Sequence, residues 1–224
     1  MAKIVSLNIG LPRRVVFNGQ VVTTGIFKEP TEGHVMLRRL NLDGDKQADL
    51  TVHGGVDKAV YSYAAEHYDY WRGELPSMNL PWGMFGENFT TQGLLEDKVN
   101  IGDTLQVGYA KLMVTQPRMP CYKLGVRFGR MDIVRRFMAS GRPGIYCKVL
   151  EEGEVVKGDK INIIRKDKND VTVIDIVRMY IRDHGDIEIM KRAIKIGALP
   201  DGWKHEFLQR INDLEKMTNL KNNF

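Results

Sequence analysis

A change of hydrophobic period near residues 164–170 limits this chain more than any other feature. Before it, apolar residues recur at every second position in short runs. Examples are KIVSLNI at 3–9, Val35 to Leu37, and TLQV and KLMV on either side of Gly108-Tyr109. Period two marks strands with one buried face, and the run from Thr104 to Thr115 reads as a hairpin. Gly-Asp pairs at 44–45, 102–103 and 158–159 supply turns. Many short strands with frequent turns predict a β-barrel or sandwich rather than a βαβ sheet. Two helices interrupt them, over 62–72 and over 132–140, the second with Asp132 as N-cap and Gly141 as its stop.

Beyond the polar stretch IRKDKND the period becomes 3.6. Val173, Ile176, Val177, Tyr180 and Ile181 fall on one helix face, and Thr172 is placed to cap its start. A second helix is expected after Asp186, ending near Gly197. A third is expected from Asp201, carrying Trp203, Phe207, Ile211 and Leu214 on one side. The fold class is mainly β with added α: a β domain over 1–165 followed by a small three-helix domain over 170–218.

With 43% hydrophobic and 27% charged residues in 224, the chain has the composition of an ordinary globular protein with a packed core. The start, MAKIVSLNIG, lacks the apolar stretch and cleavage site of a secretory signal. No segment approaches the roughly 18 apolar residues that span a bilayer. A cytoplasmic location with no membrane association is expected. The net charge of +5 comes from lysines and arginines interspersed with acids, and no nucleic-acid motif accompanies it, so no nucleic-acid partner is expected.

Two cysteines stand in different contexts. Cys147, in PGIYCKVL, alternates with Ile145 and Val149 and reads as core. Cys121 lies in TQPRMPCYKLG, between Pro117 and Pro120 on one side and Lys123 on the other, with Arg118 nearby. Prolines stiffen the loop and cations favour thiolate, which makes Cys121 a candidate metal ligand or nucleophile beside the blander reading of an inert thiol.

Three further segments offer polar groups. His53, Gly54 and Gly55 followed by Lys58 form a turn able to cradle an anion, or simply to join two strands. Asn88, Thr90 and Thr91 offer an amide and hydroxyls for a polar ring or phosphate, or for their own turn. Arg142, between Gly141 and Pro143-Gly144, presents a guanidinium suited to phosphate or carboxylate, or to a surface ion pair. One thiolate, several cations, a histidine and an amide would suit a phosphate-bearing group with a soft metal.

The blocks GDKQADLTVHGGVDKAVYSY, GENFTTQGLLEDKVNIGD, VTQPRMPCYKLGVRF and GRPGIYCKVLEEGEVVKGD, in that order, resemble the MOSC domain family and within it the YiiM type, along almost the whole chain. The resemblance implies a MOSC β-barrel that binds the molybdenum cofactor, a phosphate-bearing pterin dithiolene, with Cys121 as molybdenum ligand. His53, Lys58, Asn88, Arg118 and Arg142 would line the pterin and phosphate pocket. It further implies reduction of N-hydroxylated bases, hydroxylamines and amidoximes to amines, as in the related mitochondrial amidoxime-reducing components, with Cys121 in catalysis; His53 is a catalytic candidate as one proton donor, beside another acid or water.

The chain has no GxGxxG fingerprint between a strand and a helix and no iron–sulfur cysteine cluster, so electrons are expected from a separate flavin or haem protein. A homodimer is left open. Two alternatives stand beside this reading. One is a molybdenum-cofactor carrier or sulfur-handling module without turnover. The other is a cysteine hydrolase, which would need His53 within reach of Cys121.

Overall fold

The computed structural model describes residues 1–49, 54–181 and 186–222. Alternating apolar residues place Ile4 and Leu7 of β1 (Ala2–Ile9) inward, and the same rule holds through most later strands. A hairpin, β2 (Arg13–Phe17) and β3 (Gln20–Thr24), pairs only with itself. It is followed by β4 (Glu29–Thr31), β5 (Val35–Leu37), β6 (Val60–Ala64) and β7 (Phe89–Gln92). The remaining strands are β8 (Thr104–Val107), β9 (Ala110–Pro117), β10 (Ile145–Glu151), β11 (Gly153–Val155) and β12 (Lys160–Arg165).

Hydrogen bonding runs β12-β8-β9-β10-β6-β7-β1, and β1 returns to β12 through Ala2 opposite Ile161, so the sheet closes into a barrel. The hairpin expected between Thr104 and Thr115 is β8–β9. All barrel pairs are antiparallel except β6–β7. A parallel pair needs a crossover, and α1 (Ala65–Glu74) lies in it.

A helix was expected over 62–72, but Ser62, Tyr63 and Ala64 belong to β6 and the helix begins at Ala65. Every residue of β6 is buried, so the polar alternation that marks a half-exposed strand is absent. Val60 joins the barrel core while Tyr61 and Tyr63 enter a second cluster with Tyr68, Trp71, Phe85 and Phe137. This aromatic layer is roofed by α1, α2 (Tyr122–Phe128) and α3 (Asp132–Ser140). Asp132 is the first residue of α3 rather than its cap: Met131 occupies that place, and the Asp132 carboxylate takes Arg130 at 2.6 Å. Gly141 ends α3 in the left-handed region, φ 63°.

The C-terminal part holds α4 (Val173–Ile181), α5 (Ile187–Ala193) and α6 (Asp201–Asn222). Thr172 caps α4 reciprocally with Asp175, the side-chain hydroxyl accepting from Asp175 N at 3.2 Å and Asp175 accepting from Thr172 N at 3.0 Å. Val173, Ile176 and Val177 are buried as expected, but Tyr180 and Ile181 are exposed and Met179 is buried in their stead. Tyr180 packs on the Trp203 ring rather than in the core, with centroids 5.4 Å apart. Trp203, Phe207 and Ile211 of α6 share one continuous apolar core with the barrel. Among the described residues no helix is long and apolar enough to cross a membrane.

Candidate functional site

Strand β9 ends at Pro117, and the chain leaves the barrel through Arg118 to Cys121, where α2 begins. Proline at 117 and 120 restricts this segment, and Cys121 is extended (φ −124°, ψ 174°) as the N-cap of α2. Its half-buried side chain borders a cavity of about 90 Å3. Lys28, Lys46, Lys58, Arg118 and Lys123 border the same cavity, and no carboxylate does among the described residues.

Arg118 is buried, with its guanidinium 4.6 Å from the Tyr61 ring centroid, and it donates to the Phe85 carbonyl. Among the described residues no carboxylate forms an ion pair with it. Tyr61 donates to the Pro143 carbonyl at 2.8 Å, and Tyr146, which packs on the Tyr61 ring with centroids 5.1 Å apart, borders the same cavity. Burial pushes both tyrosine hydroxyls above their ordinary pKa, so they stay neutral and leave the positive charge uncompensated.

Lys28 meets the Asp45 carboxylate in an ion pair at the cavity floor. Burial pulls the Lys28 ammonium below the usual lysine range, and Asp45 offsets part of that. Asp45 is held by Gly10 N at 2.9 Å and by Asn88 Nδ2 at 2.9 Å, while Asn88 Oδ1 accepts from Tyr61 N at 3.1 Å. The Asn88 amide, which also borders the cavity, therefore ties the carboxylate to β6. Thr90 and Thr91 turn inward, to Glu87 at 2.8 Å and to Ser62 at 3.3 Å, and do not border the cavity.

The structure thus gathers Cys121, Arg118, Lys58 and Asn88 around one space, together with Gly54, whose φ of 104° favours glycine. Arg142 stands apart: its guanidinium lies 4.0 Å from the Tyr70 ring centroid and donates to the Ser140 carbonyl at 2.8 Å. His53 lies outside the described residues. Sequence reasoning missed Lys28, Lys46, Asp45, Tyr61 and Tyr146. Tyr61 and Tyr146 pair directly across β6 and β10, a register that no local pattern announces.

A cavity bordered by one thiol and several cations suits an anionic group carrying a soft metal. Among the described residues no cluster of three His, Cys, Asp or Glu side chains could hold a metal, so they do not supply the full ligand set of a metal held by side chains alone. An uncompensated buried guanidinium such as Arg118 is costly, and an anion in the cavity would offset that cost.

A closed mixed barrel with this cation-lined cavity defines the class, and comparison with known proteins agrees: the MOSC domain pattern matches residues 49–162, and the chain belongs to the MOSC domain family. Within it the chain is YiiM-like. It is 34% identical over 189 residues to Protein YiiM of Escherichia coli (strain K12), covering 84% of each chain. The YiiM crystal structure from Geobacillus stearothermophilus superposes with a TM-score of 0.78 at 29% identity, over 94% of this chain and 100% of that one. The uncharacterized protein YflK of Bacillus subtilis (strain 168) is 39% identical over 94% of this chain and 95% of its own length. A Gibberella moniliformis (strain M3125 / FGSC 7600) protein named Reductase is 33% identical over 72% of this chain, which spans 29% of its length. MOSC domains are generally associated with binding of the molybdenum cofactor.

Proposed function

We propose that the protein is a molybdenum-cofactor-dependent reductase of N-hydroxylated compounds, acting in the cytoplasm with electrons from a separate flavin or haem protein. The observation that carries this reading is the Cys121 thiol on the same cavity as Arg118, Lys58 and Lys123. Family membership and the fungal relative named Reductase support it.

In this reading the cofactor, when bound, supplies two-electron redox chemistry at molybdenum. The residues of the chain do the rest. Cys121 provides the sulfur ligand. Arg118, Lys46, Lys58 and Lys123 hold the phosphate and dithiolene charge, each charge-assisted contact being stronger than a neutral hydrogen bond. The Lys28–Asp45 pair and Asn88 fix the cavity floor and keep Asp45 from competing with the anionic ligand. The net change is R–NHOH plus two electrons and two protons to R–NH2 and water.

The test is turnover of an N-hydroxylated base by cofactor-loaded protein with an artificial electron donor. The reading predicts the parent amine in proportion to bound molybdenum. Cofactor binding without turnover would select the carrier reading instead.

A further inference from the structure

In the reductase reading electrons arrive from a separate protein, which has to bring its redox group close to Cys121. Towards the helical part, a cleft of about 550 Å3 shares Gly54 and Lys58 with the cavity and is bordered by the carboxylates Asp57 and Glu206. The β2–β3 hairpin and α2 flank the cavity with the opposite charge. The hairpin runs directly into Thr24, Gly25 and Ile26 at the cavity, and α2 starts at Cys121. The two elements meet on Phe27, whose ring centroid lies 3.9 Å from the Arg13 guanidinium and 5.0 Å from that of Arg127.

Residues 10–28 and 117–131 together hold seven lysines and arginines and no acid, so the net charge of +5 becomes −2 for the rest of the chain. Some of this charge is neutralised locally, Arg13 by Glu29 at 3.6 Å and Arg130 by Asp132 at 2.6 Å. Arg14 is exposed and Arg127 half-buried, and neither forms an ion pair among the described residues. Arg127 Nε is buried with no hydrogen-bond partner among them. Apolar groups accompany these charges. Arg14, Val16, Val21 and Thr23 share the exposed face of the hairpin, with Val16 opposite Val21 at 74% and 55% exposure. Tyr122, beside Cys121, is 50% exposed. Exposed apolar groups amid unpaired arginines suit an acidic protein surface.

We propose that the β2–β3 hairpin and α2 form the docking surface of the electron donor, an FMN protein whose flavin edge is ringed by carboxylates. The proposal rests on the reductase reading and adds to it the chemistry of the partner and the place where it binds. Charge sets the orientation: the arginines attract the acidic ring to this surface, while Asp57 and Glu206 repel it from the cleft. Two electrons per turnover suit a flavin, which holds both, better than a haem, which holds one. FMNH2 is oxidised to FMN and releases two electrons and two protons, and R–NHOH takes up the same number to give R–NH2 and water. A transient redox contact of this kind buries less than about 1,200 Å2.

The probe is a bacterial flavodoxin, which is acidic and carries FMN. Calorimetry of oxidised flavodoxin with cofactor-free protein at low ionic strength should show saturable binding that weakens as salt rises. Arg14→Glu and Val16→Glu should each weaken it about tenfold, while Lys160→Glu, on a strand with no residue at the cavity, should leave it within about twofold. No binding to the folded parent, or equal weakening by Lys160→Glu, would overturn the proposal. In cofactor-loaded protein, turnover driven by reduced flavodoxin should fall in Arg14→Glu and Val16→Glu, and turnover driven by reduced methyl viologen should not. Equal falls with both donors, or turnover with methyl viologen alone, would also overturn it. Turnover with neither donor would sink the reductase reading by itself, and the calorimetry would still decide the docking surface.

Discussion

Cys121 and Cys147 carry the same thiol in opposite surroundings. Cys147 faces the barrel interior at 1% exposure, and burial pushes its pKa up to about 12. Thiolate is the attacking form, so Cys147 is inert near neutrality. Cys121 is half-buried at the cavity. Iodoacetamide at neutral pH should therefore add one group to the native protein, at Cys121, and a second only after denaturation, as read by peptide mass spectrometry. Labelling of Cys147 in the folded protein would contradict its placement. Both assignments were legible in the sequence, one from alternation with Ile145 and Val149, the other from flanking prolines and cations. Lys28 and Asp45 were not, because a buried ion pair between separate loops leaves no local periodicity.

At the scale of elements, the loop from Gly83 to Thr90 is organised by Glu87, which is fully buried. Its carboxylate accepts from Gly83 N at 2.8 Å, Phe85 N at 3.1 Å and Thr90 Oγ1 at 2.8 Å, and from the Tyr68 hydroxyl. The same loop presents the Phe85 carbonyl to Arg118 and leads into Asn88, so one carboxylate sets two parts of the cavity wall. Glutamine has one acceptor oxygen where the carboxylate has two, so Glu87→Gln should cost about 1–3 kcal/mol.

Burial raises the Glu87 pKa above 4.5, and its hydrogen bonds offset part of that rise. Its contribution is then complete below the unfolded value and falls as pH rises through the folded one. Thermal melts should show the stability gap between parent and Glu87→Gln narrowing as pH rises above the ordinary carboxylate range. A gap that widens would mean that the folded carboxylate prefers its charged form. The sequence disclosed this loop as a glycine-bounded polar segment and left its centre unseen. The segment at 62–64 was misread for a related reason: Tyr61 and Tyr63 are buried in the aromatic layer, and a strand covered on both faces shows no alternation.

For the whole molecule, the change of period did mark where strands give way to helices. It did not disclose how closely the two parts join. Val173 N donates to Val99 O at 3.1 Å, Ile174 N to Glu96 O at 3.1 Å, and Trp203 to Gln116 at 2.9 Å, and the apolar core runs from Ile4 to Ile211 without a break. Long-range pairing of this kind follows from tertiary packing and leaves no mark in local pattern. Calorimetry should give a single unfolding transition, and a chain cut after residue 165 should lose the cooperative melt because it exposes the barrel face under α4 and α6. Two separate transitions would show that the parts are independent.

The central claim is that Cys121 holds a molybdenum-bearing anion in the cation-lined cavity. Elemental analysis of protein from a cofactor-competent host, beside Cys121→Ala, tests it most directly. The account predicts near-stoichiometric molybdenum in the parent and its loss in the variant. Equal loading of both proteins, or none in either with cofactor supply verified, would contradict it.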